Sequence, residues 1–171
     1  MKGLKVYKIK KGKHRASGLN FGINFKKYKE TWVNFTDSCW YEKENGDSED
    51  LNKLFGFGTS LNHHKNSVRF AWKPDFENKG VIEIYAYQYN GGERQFKHVT
   101  DVPVNKNILY TISLDGLTSE FNIYNPDDEY GIHSVEMKYP LSNINVGFKL
   151  FPYFGGDNKS PQTMRISFVR A

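Results

Sequence analysis

The sequence predicts an all-β protein, a single domain over residues 1-171 folded as a two-sheet antiparallel β-sandwich, and three observations carry that expectation. Runs rich in Val, Ile, Phe, Tyr and Thr recur between clusters of turn residues along the whole chain, the pattern of an antiparallel sandwich or barrel. The 13 Phe, 11 Tyr and 3 Trp suit pleated, half-buried surfaces better than helix interiors. Within the runs, apolar and polar residues alternate, so each strand offers one face to a core and one to solvent. Two such sheets bury their apolar sides by packing face to face.

Taken in order, strands are expected near 3-10, 14-24, 31-41, 53-60, 65-73, 80-90, 93-99, 108-114, 118-124, 132-139, 144-151 and 163-170. Turn residues separate them: Asn45-Gly46, Pro74-Asp75, Asn78-Lys79-Gly80, Asn90-Gly91-Gly92, Asp115-Gly116, Asn125-Pro126-Asp127 and Gly155-Gly156-Asp157. Asp115-Gly116 reads as a hairpin turn of type I′, which needs positive φ at both central residues. Only 47-54 offers a helical turn, capped by Asp47 or Ser48. Alternation then assigns faces. Val68, Phe70 and Trp72 oppose Ser67, Arg69, Ala71 and Lys73, while Ile82, Ile84 and Ala86 oppose Glu83, Tyr85, Tyr87 and Tyr89. Ile144, Val146, Phe148 and Leu150 oppose Asn145, Gly147 and Lys149, and Met164, Ile166 and Phe168 oppose Arg165 and Ser167.

Charge and cysteine usage exclude several classes. The formal charge of +5 comes from Lys and Arg scattered along the chain, apart from the cluster Lys8, Lys10, Lys11, Lys13, His14, Arg15. A nucleic-acid surface concentrates basic residues on one face, so no nucleic-acid partner is expected. The single Cys39 forms no internal disulfide, and between Ser38 and Trp40 it reads as a buried small hydrophobe with no base beside it. The opening MKGLKVYKIKKGK has no apolar h-region, and no stretch is long enough to span a membrane. Synthesis and folding in the cytoplasm without a signal peptide, with no membrane partner, is the expectation.

The tail Phe151-Pro152-Tyr153-Phe154-Gly155-Gly156-Asp157, followed by Ser160-Pro161-Gln162-Thr163-Met164 and a last strand, resembles the end of concanavalin A-like jelly-roll sandwiches. Lyase- and glucanase-like members of that group carry a similar aromatic-Gly-Gly turn before the closing strand. The stretches Lys53-Leu54-Phe55-Gly56-Phe57, Asn66-Ser67-Val68-Arg69-Phe70-Ala71-Trp72 and Ile82-Glu83-Ile84-Tyr85-Ala86-Tyr87 resemble small sandwich proteins encoded by bacteriophages and gut bacteria. The resemblance implies that the chain ends meet, with Leu4 or Val6 pairing near Ile166 and Phe168. It leaves function open, because such sandwiches host lectins, lyases, hydrolases and capsid components alike.

The most suggestive chemistry is the run Tyr85, Tyr87, Tyr89, whose spacing sets three rings about 7 Å apart along one strand face. Flat aromatic faces with polar edges suit sugar rings. Arg69 and Lys149 on the same face would meet a uronic carboxylate, and Glu83 would accept from hydroxyls. The expected ligand face is therefore Arg69, Glu83, Tyr85, Tyr87, Tyr89 and Lys149, for a glycan or for another subunit.

No catalytic residue is expected. A glycoside hydrolase needs paired carboxylates, yet no Glu-x-Asp-x-x-Glu-like run occurs and the relevant strand offers Glu83 alone. A polysaccharide lyase needs a charge-neutralising Arg or amide, a His or Tyr base and a Tyr acid. Arg69, His64, Tyr85 and Tyr87 are of those types, but the Gln-x-His strand and Tyr-x-Lys-x-Gly pattern of alginate-lyase-like families are missing. No cofactor or metal site is expected either. His63 and His64 could share an ion only from a loop, and His14, His98 and His133 are isolated. The acidic loops Asp47, Glu49, Asp50 and Asp127, Asp128, Glu129 lack EF-hand spacing and read as solvated loop charge.

The functional expectation is a non-catalytic structural or binding protein of a phage virion, a capsid decoration or a head- or tail-associated component. Its partners would be other virion subunits, further copies of itself or surface polysaccharide. The alternatives are a polysaccharide lyase-like enzyme and a stand-alone carbohydrate-binding lectin domain.

Overall fold

The alternating runs become strands wherever one of their faces finds a partner sheet. In a computed structural model describing residues 3–18, 22–24, 27–42, 50–58, 62–129, 131–139 and 147–171, these are β1 (Leu4–Ile9), β2 (Ile23–Asn24), β3 (Tyr28–Phe35), β4 (Asn52–Gly58), β5 (Ser67–Pro74), β6 (Val81–Asn90), β7 (Glu93–Pro103), β8 (Ile108–Leu114), β9 (Thr118–Tyr124), β10 (Ile132–Lys138), β11 (Gly147–Leu150) and β12 (Met164–Val169). They form two antiparallel sheets. Sheet one runs β1-β12-β3-β8-β9-β10 and sheet two β2-β11-β4-β5-β6-β7. The first and last strands pair as expected, with Leu4 opposite Val169 and Tyr7 opposite Ile166.

Between the sheets lies an aromatic core in which Trp72, Phe70, Tyr110 and Phe121 are completely buried. Phe70 meets Tyr110 edge-on at 5.1 Å and Phe121 at 5.3 Å, the arrangement that sets a ring's positive edge on its neighbour's negative face. Val68, Phe70, Trp72, Ile82, Ile84, Ala86, Met164, Ile166 and Phe168 all point into this core, so the alternation assigned them correctly. A buried amide closes one side of the sandwich. Gln88 Nε2 donates to Gln95 Oε1 and to the Lys138 carbonyl, both at 2.8 Å, while Ser119 Oγ donates to Gln88 Oε1 at 2.8 Å. Both ends of that amide are satisfied, as burial demands. On the outer face of sheet one, register lines up Leu4, Val169, Trp32, Leu109, Tyr124 and Ile132 in one row across all six strands.

Several local expectations need correction. Residues 14-24 do not form one strand. Ala16 bridges Ile9, Arg15 bridges Tyr153, and only Ile23–Asn24 pair as β2; the run is broken where Gly18 takes φ 101°. The strand expected over 31-41 starts at Tyr28, stops at Phe35 and gives way to a 3-10 turn, Asp37–Cys39. Asp115-Gly116 does join β8 to β9, but not as a type I′ turn, since Asn105 is the only non-glycine residue with positive φ among the described residues. The Asp115 carboxylate instead accepts from Leu117 N at 3.2 Å and Thr118 N at 3.0 Å, a side-chain substitute for the backbone turn. The two-residue hairpin is Gly91-Gly92, with φ of 63° and 96°, between the paired Asn90 and Glu93. Of the helical turn expected over 47-54, residues 47-49 lie outside the described residues, and Asn52–Leu54 are in β4. Cys39 is buried and its Sγ donates to the Arg165 carbonyl at 3.2 Å. Burial pushes its thiol up to about 12, so it is an inert packing residue.

Candidate functional site

The outer face of sheet two carries its own register row, Leu150, Gly56, Arg69, Tyr87 and Phe96, crossing β11, β4, β5, β6 and β7. The row is tight at Gly56, where a Cβ would stand 2.0 Å from the Val68 carbonyl oxygen and 2.5 Å from Arg69 Cα. Only glycine fits there. Beside it, β4 breaks register between Lys53 and Phe55. The extra residue lets Leu54 and Phe55 both enter the core while Lys53 faces the site, which is what a bulge does to a strand.

The chain after β11 builds one wall. Lys53 and Tyr153 exchange backbone hydrogen bonds of 2.8 and 2.9 Å, and the Tyr153 ring stacks on His14 at 5.4 Å, with the planes 14° apart. The glycine turn is held by Asn52, the first residue of β4, and by Asp50 two residues earlier. Asn52 Oδ1 accepts from Gly155 N at 2.6 Å, and Asp50 Oδ2 accepts from Gly156 N and Asp157 N at 3.1 and 3.2 Å. The result is a cavity of about 590 Å³. Five cations line it, Arg15, Lys53, Arg69, Arg94 and Lys149, against two carboxylates, Asp50 and Asp157. Tyr87, Tyr89, Tyr153, His63 and His64 supply rings.

Arg69 is the unusual member. It is buried, and among the described residues its Nε has no hydrogen-bond partner and its Nη2 reaches only Ser67 Oγ, at 3.5 Å. Burial lowers the guanidinium to about 10, with Tyr87 and Tyr89 acting the other way. Lys53 is held down to about 8 by burial and by Arg69, partly offset by Asp50, and its ammonium lies 5.0 Å over the Tyr87 ring. His63 is pushed down to about 4 by burial, then by Arg69, His64 and Arg15. Burial and the hydrogen bond with Tyr89 raise the Tyr87 phenol well above its ordinary value. None of the ion pairs among the described residues involves the five cations. At neutral pH the groove is therefore positive, with a protonated Tyr87 phenol and an uncharged His63.

Of the expected ligand face, Arg69, Tyr87, Tyr89 and Lys149 line this cavity, and Glu83 and Tyr85 do not. Tyr85 donates to Glu83, which also pairs with Lys73 at 3.2 Å, so these two satisfy each other farther along the strand. The tyrosine run is not an open platform, since Tyr87 is only 2% exposed. It packs with Leu51 and Ala71 and lies beneath Lys53, cover that comes from other strands and leaves no trace in the alternation of β6. Lys149 reaches the groove although its register partner is the core residue Phe57, whereas Leu150 shares the parity of Gly56 and Arg69. Alternation had placed these two the other way round; Ile144, Asn145 and Val146 lie outside the described residues.

The sequence reading missed Arg15, Lys53, His63, Arg94 and Tyr153 as site residues. Arg94 could have been found, because a two-residue Gly91-Gly92 turn fixes it opposite Tyr89. Arg15 and Tyr153 arrive through a single bridge between distant segments. His63 and His64 sit side by side, rings 4.2 Å apart, in the segment before β5. No metal-binding group of three or more ligands occurs among the described residues. Asp127 pairs with Lys106 and Asp128 with His133, both at 2.7 Å, and Asp47 and Glu49 lie outside the described residues.

No family model and no curated relative matches this chain. Solved structures do. An alginate lyase from Klebsiella pneumoniae superposes with a TM-score of 0.62 at 10% identity, over 84% of this chain and 57% of that one. The alginate lyase AlyC3 gives 0.60 at 13% identity, over 95% and 71%. A xylan β-1,4-xylosidase from Bacillus halodurans gives 0.51 at 9% identity, over 91% of this chain but only 28% of the enzyme. This chain thus spans little more than half the length of the Klebsiella enzyme. At such identities the likeness is one of fold, the antiparallel β-sandwich.

Proposed function

We propose that the groove binds an acidic polysaccharide, one whose sugars carry carboxylates, and that it does so as a binding module. The observation that carries this reading is Arg69, a buried guanidinium with an unpartnered Nε on the floor of a groove holding five cations and two carboxylates. Leaving a buried donor unsatisfied costs about 1–3 kcal/mol. A uronate carboxylate removes that cost and adds a charge-assisted contact of the strong, geometrically specific kind. Tyr89, Tyr153 and His64 supply flat faces for the sugar rings beside it. Electrophoresis through gels containing polyuronate or neutral glucan tests the proposal. Polyuronate alone should retard the protein, and equal retardation by neutral glucan would defeat the charge argument.

One observation favours a second reading, a polyuronate lyase: Tyr153 and the uncharged His63 line the same cavity as Arg69. His63 would take the proton from C5 while Arg69 neutralises the carboxylate, and the Tyr153 hydroxyl would protonate the departing O4. The C5–H and C4–O bonds break and a C4–C5 double bond forms. Two alginate lyases of similar fold support this reading, but a His63 held near 4 is a weak base, which places binding first. Turnover of alginate to unsaturated uronate, abolished in Tyr153→Phe, would reverse that order. Neither the fold nor the groove bears on the virion setting expected from the sequence, which a proteomic inventory of purified particles would test.

A further inference from the structure

Lys5 of β1 and Lys29 of β3 lie over one bed of aromatic rings between the sheets, and Lys149 of β11 is near enough for its charge to act on Lys29. Lys5 and Lys29 share the inward parity of their strands, with Tyr7 and Ile9 in one and Val33 and Phe35 in the other. The Lys29 ammonium lies 4.7 Å over the Phe55 ring, and that of Lys5 lies 4.4 Å over Tyr7 and 5.4 Å over Phe151. These rings form one connected bed. Tyr7 meets Phe168 at 4.8 Å and Phe151 at 6.0 Å, and Phe168 meets Phe55 at 5.8 Å. Lys29 is held down to about 8 first by burial, then by the charges of Lys149 and Lys5.

A like-charged cluster that is partly withdrawn from water calls for a counter-charge, and no carboxylate among the described residues pairs with it. Glu30 points to the opposite face, where Tyr28 donates to it. None of the ion pairs among the described residues includes the three lysines. Aromatic faces stabilise an ammonium only in part.

We propose that Lys5, Lys29 and Lys149 form an oxyanion-binding site between the two sheets, taking sulfate, phosphate or a carboxylate. The oxyanion comes either as a free ion or as a charged substituent of a polysaccharide in the groove, whose wall includes Lys149 and Phe151. The site stands on its own geometry, whatever the groove binds.

Thermal melting of the full chain in sodium phosphate or sulfate, against sodium chloride at matched ionic strength, is the first arm. At a hundredfold excess over the dissociation constant the melting temperature should rise by roughly 5–10 °C. Lys29→Met should abolish that rise, and if it fails to fold, the double variant Lys5→Ala/Lys149→Ala serves, since both positions are exposed. The second arm follows the Lys29 ε-carbon by NMR as pH is raised, with phosphate, with alginate oligomers and with neither. A midpoint that moves up with phosphate identifies a free ion. One that moves only with alginate oligomers identifies a substituent of the polysaccharide. A Lys29 midpoint and a melting temperature that respond to neither overturn the site.

Discussion

The two outer faces of the sandwich are made by the same device and come to opposite ends. Sheet one carries the row Leu4, Val169, Trp32, Leu109, Tyr124, Ile132, and sheet two the row Leu150, Gly56, Arg69, Tyr87, Phe96. The first lies open, with Leu4 49% and Ile132 62% exposed, and carries no charged group, only the Trp32 indole N–H and the Tyr124 hydroxyl as polar atoms. The second is roofed by the tail segment and the β6–β7 hairpin, and its one guanidinium is buried. A register row supplies a floor, and the walls decide whether the floor becomes a site.

The largest effect should come from disturbing the groove floor at its tightest point. Gly56→Val puts a branched side chain where even a Cβ stands 2.0 Å from a backbone oxygen. The expected loss is about 3 kcal/mol or more of folding stability, read from urea denaturation. Next comes Arg69→Met, which should weaken polyuronate binding by about 2 kcal/mol, roughly thirtyfold in titration calorimetry. It should leave stability undiminished, because it removes a buried donor that lacks a partner. A large stability loss without a binding loss would make Arg69 a structural residue.

A smaller effect should follow pH. The folded His63 value of about 4 lies below its ordinary 6.5, so the unfolded chain takes up this proton first. Its contribution to stability is complete above about 6.5 and is lost as pH falls toward 4. A bound polyanion opposes that shift, so affinity should rise as pH drops through the same window, and His63→Ala should flatten the rise. The smallest effect belongs to the other face. Ile132→Ser should change stability by no more than about 0.5 kcal/mol and leave binding untouched, and a larger change in either would mean the two faces are coupled.

How much of this was legible in the sequence differs between the faces and the walls. Within a strand, alternation is a backbone property, so the placement of Phe70 against Arg69 and of Ile84 against Tyr85 could be read directly. A bulge ends that reading, as at Lys53 and Phe55, because one extra residue changes which side chains face the core. The opposite parity of Lys149 and Leu150 was likewise set by their pairing with Phe57 and Gly56, not by the residues themselves. The burial of Tyr87 under Lys53, and the meeting of Arg15 with Tyr153, depend on segments far apart in the chain. The aromatic-Gly-Gly tail announces its turn in the sequence, while its contribution to the site is the ring of Tyr153.

The buried amide of Gln88 gives the sandwich a spine. It stitches β6 to β7 through Gln95, to β9 through Ser119 and to the end of β10 through Lys138, while β10 also touches β7 directly. At the opposite margin the outermost strands are β1 and β2, and the lysines gather there without a comparable stitch among the described residues. A book held at its spine opens at the fore-edge. Transient parting of the sheets should therefore begin at β1 and β11, whose amides should exchange with solvent before those of β6 and β9. An anion among the three lysines would act as the clasp.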